Sequence, residues 1–141
     1  MDTYMNANIV FSKFSRDYMA LKKDLPIRPS EMGVLNIITR REGDFTPLMI
    51  AELLGVSKPM IAAHLQVLLK KGYIYKEAYH GDKRSFYVRP TEKAKALADE
   101  FEAKQTEYLK AIEARLGEAG FIQLTHLLGE TQNVLDAILK K

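Results

Sequence analysis

The sequence has no cysteine and no tryptophan, only five prolines and eight glycines in 141 residues, and little net charge. Without cysteine there are no thiolate nucleophiles, cysteine-built zinc or iron–sulfur centres, disulfides or thiol-based peroxide sensing. No stretch approaches the roughly 20 apolar residues of a membrane span. The opening MDTYMNANIVFSKF carries no basic segment ahead of an apolar run, so a soluble, cytoplasmic chain is expected, with no membrane partner. The glycines fall mostly at turns and helix ends. They form no phosphate-cradling loop, and no Ser/His/Asp constellation appears, so no enzyme, catalytic residue or cofactor is expected. What is present is ordinary globular material, 47% hydrophobic and 28% charged, enough to bury one core.

The net charge of +3 is unevenly spread. Residues 1–57 are neutral, residues 58–93 carry +5 and residues 94–141 carry −2. A short basic segment between neutral and acidic ones attracts phosphates whatever the total, although a solvated basic face has the same composition.

Apolar periodicity divides the chain. Ala7, Phe11, Phe14, Tyr18, Leu21 and Leu25 recur every three or four residues as one helical stripe, which Pro26 and Pro29 should end. Ser30 is expected to cap a second helix with Val34, Leu35, Ile37 and Ile38 inward. Thr46-Pro47 starts a short third helix, since threonine accepts an orphan amide and proline suits the first helical position. Gly55 supplies a left-handed turn, Ser57 caps a fourth helix, and Gly72 stops it. Two short helices joined by Leu54-Gly55-Val56-Ser57, with small Ala51 at their crossing and Ile61, Leu65 and Leu68 inward, read as a helix-turn-helix.

Tyr73–Tyr79 and Ser85–Arg89, rich in β-branched and aromatic residues around Gly81-Asp82, read as a hairpin with Phe86 and Val88 on one face and Tyr87 and Arg89 on the other. A basic hairpin directly after a helix-turn-helix is a wing. Thr91 then caps a long helix, Gly117 breaks it, and a last helix carries Phe121, Leu124, Leu128, Thr131, Leu135 and Ile138 on one stripe. The expected fold is mainly α with a small β-hairpin wing: a winged helix-turn-helix with long N- and C-terminal dimerisation helices. Its parts are 1–29, an N-terminal dimerisation helix, 30–90, a DNA-binding lobe, and 91–141, C-terminal dimerisation helices. The terminal stripes exceed what a small lobe covers, so Phe11, Phe14, Tyr18, Phe121, Leu124, Leu128, Leu135 and Ile138 are assigned to a homodimer seam. An intramolecular three-helix bundle would show the same spacing.

The run AELLGVSKPMIAAHLQVLLKKGYI, followed by GDKRSFYVRPTEKAKAL, resembles the multiple antibiotic resistance regulator (MarR) family, and the resemblance covers essentially the whole chain. It implies a sequence-specific DNA-binding transcriptional regulator, a repressor released by a small-molecule effector. It also implies that the wing-tip arginine, here Arg84, enters the minor groove and is oriented by Asp82. A guanidinium held by a carboxylate suits the negative potential of a narrow minor groove. Lys83 is assigned a phosphate contact. On the fourth helix Lys58, Pro59, Ala62, Ala63, Gln66 and Lys70 should lie on or beside the face opposite the core, with Thr46 and Ser57 at the helix starts. Gln66 carries the paired donor and acceptor that reads adenine, and the lysines suit phosphates. The expected target is a near-palindromic DNA duplex.

Relatives usually carry polar residues or arginine where this chain has Ala62 and Ala63, which leaves direct base readout sparse. The Ala-His-Leu-x-x-Leu run around His64 also resembles the arsenic-type repressor family, whose metal- or ligand-responsive members are the alternative reading, and a winged helix can also act as a protein-interaction module. His64, His80 and His126 lie on separate elements without paired ligand spacing, so no metal site is expected. His64 reads as a partly buried core residue, His80 as a phosphate neighbour and His126 as an interface residue. Family members bind small, often aromatic anions between the dimer helices and the lobe. Phe14, Arg16 and Tyr18 are the candidates for an effector pocket.

Overall fold

The computed structural model describes residues 2–21, 24–78 and 85–139. The elements are α1 (Thr3–Ala20), α2 (Pro29–Arg40), α3 (Pro47–Leu54), α4 (Lys58–Lys70), β1 (Ile74–Ala78), β2 (Phe86–Pro90) and α5 (Glu92–Leu139). β1 and β2 form one antiparallel hairpin in which Ile74 pairs with Pro90 and Ala78 with Phe86. α5 is interrupted at Gly117 (φ 80°, ψ 162°), which separates an arm of residues 92–116 from one of residues 118–139. This is the mainly helical, winged architecture expected, with the break where the glycine predicts it.

Local chemistry sets most helix starts. The Asp2 carboxylate accepts from Met5 N at 2.8 Å, the Thr46 hydroxyl from Met49 N at 3.3 Å, the Ser57 hydroxyl from Met60 N at 3.2 Å and the Thr91 hydroxyl from Ala94 N at 3.3 Å. Two expectations are corrected. α1 ends at Ala20, not beside Pro26, because the chain must turn there to bring Leu25 and Ile27 onto the core. Ser30 is not the cap of α2. Pro29 already occupies the first helical position, and the buried Glu31 carboxylate closes the end by accepting from Arg28 N at 3.0 Å.

One core runs from Ile27 to Phe101. Val34, Leu35, Ile37 and Ile38 of α2 face inward, against Ile50 and Ala51 of α3, Ile61, Leu65 and Leu68 of α4, Val88 of β2, and Ala94, Leu97, Ala98 and Phe101 of α5. Leu35 and Leu68 are fully buried, each stabilising the fold by about 1.5–3 kcal/mol relative to exposure. The hairpin base is closed by Thr91, whose amide donates to Tyr73 O at 3.0 Å and whose hydroxyl donates to Gly72 O at 2.8 Å. Among the described residues no single helix is long and apolar enough to cross a membrane.

The angle between α3 and α4 hangs on Gly55, at φ 68° and ψ 35°, whose amide bonds Ala51 O and Glu52 O. A Cβ there would meet nothing within 4 Å among the described residues, so substitution should cost backbone strain alone. Gly55→Ala is expected to lower unfolding free energy by about 1 kcal/mol, and Gly55→Asn by less, because asparagine tolerates the left-handed region. Urea titration checks this, and equal stability of all three proteins would refute it.

Candidate nucleic-acid interface

The helical period of α4 sorts its side chains by function. Ile61, Leu65 and Leu68 anchor the helix in the core, while Lys58, Pro59, Ala62, Ala63, Gln66 and Lys70 are exposed. Lys58, Ala62 and Gln66 follow one another at four-residue steps along one strip. That strip lines a groove of about 680 Å³ together with Thr46 and with Lys76 and Phe86 of the hairpin. The structure therefore brings Thr46, Lys58, Ala62 and Gln66 together. Pro59, Ala63 and Lys70 are exposed on α4 beyond the groove lining, and Ser57 is exposed at the helix start. The Ser57 oxygen accepts from Met60 N, which leaves its own hydroxyl hydrogen available to a phosphate. Asp82, Lys83 and Arg84, with His80, lie outside the described residues.

Lys76 was missed by sequence reasoning. It shares a face of β1 with buried Ile74, pairs across the ladder with buried Val88, and carries its ammonium 4.5 Å from the centre of the Phe86 ring. A lysine in register with core residues is the signal that could have found it. Its stem covers apolar surface while its charge stays at the groove mouth.

The opposite face of the hairpin holds a second arrangement. Arg89 pairs with Glu77 on β1 and with Asp44 in the loop before α3, the latter at 2.7 Å. Hydrogen bonds from its guanidinium to Glu77 and then Asp44 hold the Arg89 pKa above its ordinary value. On α2, Arg40 reaches Asp99 at 2.8 Å and Glu102 at 3.0 Å on α5, a second bridge from the lobe to the long helix.

Away from the lobe, the terminal helices leave apolar side chains in the open. Phe11 and Phe14 on α1 are exposed, as are Leu128, Leu135 and Ile138 on the last arm, whereas Tyr18, Phe121 and Leu124 are half-buried. Phe14 and Tyr18 stack at 5.6 Å between ring centres, and both line an apolar groove of about 620 Å³ between α1 and α5 that also takes in Lys13, Tyr108 and Ile112. Arg16 is exposed and does not line it. His64 is half-buried on α4, with Nε2 buried and unpartnered among the described residues, and His126 is exposed on the last arm. Among the described residues no three metal-ligating side chains converge.

Comparison with known proteins agrees with this geometry. Residues 25–85 match the sequence model of the MarR family. No curated protein matches the chain by sequence. Among solved structures, Streptococcus pneumoniae FabT in complex with DNA is similar with a TM-score of 0.84 at 18% identity, over 96% of this chain and 99% of that one. The Staphylococcus aureus MepR–DNA complex gives 0.73 at 19% identity, over 96% and 99%. A MarR protein from Peptoclostridium difficile gives 0.76 at 18% identity, over 97% and 90%. The family match falls on residues 25–85, which build the helix-turn-helix and the first strand of the hairpin, and the fold likeness runs through both terminal helices, so the chain has the winged helix-turn-helix fold and is similar over that segment to proteins of the MarR family.

Proposed function

We propose that the protein is a homodimeric DNA-binding transcriptional regulator that reads a near-palindromic operator, and that it acts as a repressor released by a small aromatic or anionic effector. The observation that carries the reading is the exposed strip of Lys58, Ala62 and Gln66 on α4, set in a groove against the hairpin and bordered by Lys76. A helix presented this way enters a major groove while the hairpin reaches the adjacent minor groove. The DNA-bound structures of FabT and MepR share this fold. Thr46, Ser57, Lys58, Pro59, Ala62, Ala63, Gln66 and Lys70, with the wing-tip residues Asp82, Lys83 and Arg84, are the proposed contacts. The apolar groove lined by Phe14 and Tyr18 is the proposed effector region. An effector there releases DNA only by favouring a lobe spacing that fits the duplex poorly.

The reading is tested by selecting duplexes from a random library with the unmodified protein. Enrichment of a near-palindrome with half-sites about one helical turn apart is expected, and recovery of random sequence would overturn it. On the selected duplex, Arg84→Ala should weaken binding by about 1–3 kcal/mol in each half-site, with Asp82→Ala acting in the same direction but less strongly. Unchanged affinity of Arg84→Ala would remove the minor-groove role.

A further inference from the structure

Arg89 sits where three segments of the chain meet. Across the ladder Arg89 pairs with Tyr75 and Glu77 with Tyr87, so Arg89 and Glu77 are diagonal neighbours on the hairpin face away from Val88. The guanidinium also lies over the Tyr87 ring, 5.0 Å from its centre. Its other partner, Asp44, is 45 residues away in sequence. Beside Asp44, Phe45 O accepts from Val88 N at 2.8 Å, one backbone bond that ties the loop before α3 to β2. Thr46, the next residue, caps α3. One side chain and one backbone bond thus fasten the hairpin to the point from which the helix-turn-helix starts.

We infer that Arg89 is a positioning residue that, through Asp44 and Glu77, holds the hairpin and the helix-turn-helix at one relative orientation. A duplex that must be met by both elements at once is then bound without first ordering them. The inference rests on the DNA-binding reading above. Arg89 is poorly placed to hold phosphate itself: its side chain is 24% exposed, and the two carboxylates on its Nε and Nη1 offset its positive charge. Exposed ion pairs are individually weak. A planar fork shared between carboxylates from separate segments restricts orientation as well as distance, and such preorganisation is what tight binding uses.

Charge and position make opposite predictions for one variant. Asp44→Asn with Glu77→Gln leaves Arg89 in place, keeps side-chain size and removes two negative charges, so electrostatics alone would tighten binding to every duplex. If the pairs position the hairpin, affinity for the library-selected duplex should instead fall about tenfold while a scrambled duplex binds as before or more tightly. Arg89→Gln should repeat the loss on the selected duplex. Arg89→Lys should restore part of it, since an ammonium reaches one carboxylate but not both in a fixed plane. Without DNA, amide exchange at Val88 should quicken about tenfold in the double variant, reporting looser attachment of β2 to Phe45. The inference is overturned if the double variant binds the selected duplex as tightly as the unmodified protein. It is also overturned if both duplexes weaken together with a lowered thermal midpoint, or if Val88 exchange is unchanged. Should the unmodified protein bind no duplex at low salt, the DNA-binding reading fails, and Val88 exchange alone decides the clamp.

Discussion

Leu128→Glu combined with Leu135→Glu is expected to turn the proposed dimer into a monomer whose DNA-binding lobe stays folded, and to weaken operator binding about a thousandfold. Both leucines stand exposed on the last arm of α5, one heptad apart, with Ile138 beside them, and neither belongs to the core that runs from Ile27 to Phe101. The lobe therefore loses nothing by the change. In an apolar seam, by contrast, four carboxylates per dimer would be buried without partners, and an unpaired buried charge opposes association strongly. The effect on DNA follows from linkage of two half-sites: a dimer binds the second half-site intramolecularly, which raises affinity by about 10²–10⁴ over one lobe alone. Sedimentation of both proteins at micromolar concentration, with thermal melts as the control on the lobe, decides the matter. A double variant that remains a dimer would place the seam elsewhere, and an unmodified protein that sediments as a monomer would refute the dimer.

Salt should act on binding at least as strongly. The proposed contacts are rich in phosphate-seeking groups, Lys58, Lys70 and the Ser57 hydroxyl, with Lys76 at the groove mouth. Gln66 alone on the groove strip of α4 offers the paired donor and acceptor of base readout. Each neutralised phosphate contributes a slope of about −0.9 in log affinity against log salt, so a dimer making roughly 6–10 such contacts loses about 10³–10⁵ between about 50 and 200 mM salt. Lys58→Ala and Lys70→Ala should each shallow the slope by about one unit per half-site, whereas Gln66→Ala should narrow the gap between selected and scrambled duplexes and leave the slope alone. Titrating salt against each variant separates the roles. If Gln66→Ala weakens both duplexes equally, that side chain does not read bases.

The parts of this fold that were legible in the sequence are those decided within about one helical turn. Thr46 and Ser57 cap α3 and α4 because a hydroxyl reaches an amide three residues on, and Gly55 makes its turn because it lacks a Cβ. The inward stripe of α4 and the alternation of Phe86 and Val88 against Tyr87 and Arg89 follow from periods of 3.6 and 2. The same locality misled at α2. A serine after a proline reads as a cap, yet Pro29 had already begun the helix, and Glu31, buried from the core side, closed it instead.

The sequence by itself thus determined the order and limits of most elements, the direction each face must point, the basic middle segment and the surplus of apolar side chains at both ends. Caps, turns and periodicity are short-range, and no distant residue is needed to state them. Tertiary structure decided what no spacing encodes. It brought Asp44 to Arg89 across 45 residues, laid the Lys76 ammonium on the Phe86 ring at the mouth of the groove, and drew Leu97 and Phe101 of the long helix into the lobe's core. It also ended α1 at Ala20 so that Ile27 could be buried. Each of these depends on where packed elements come to rest against one another, because ion pairs and ring contacts fall off within a few ångströms and exist only once the core has set those distances.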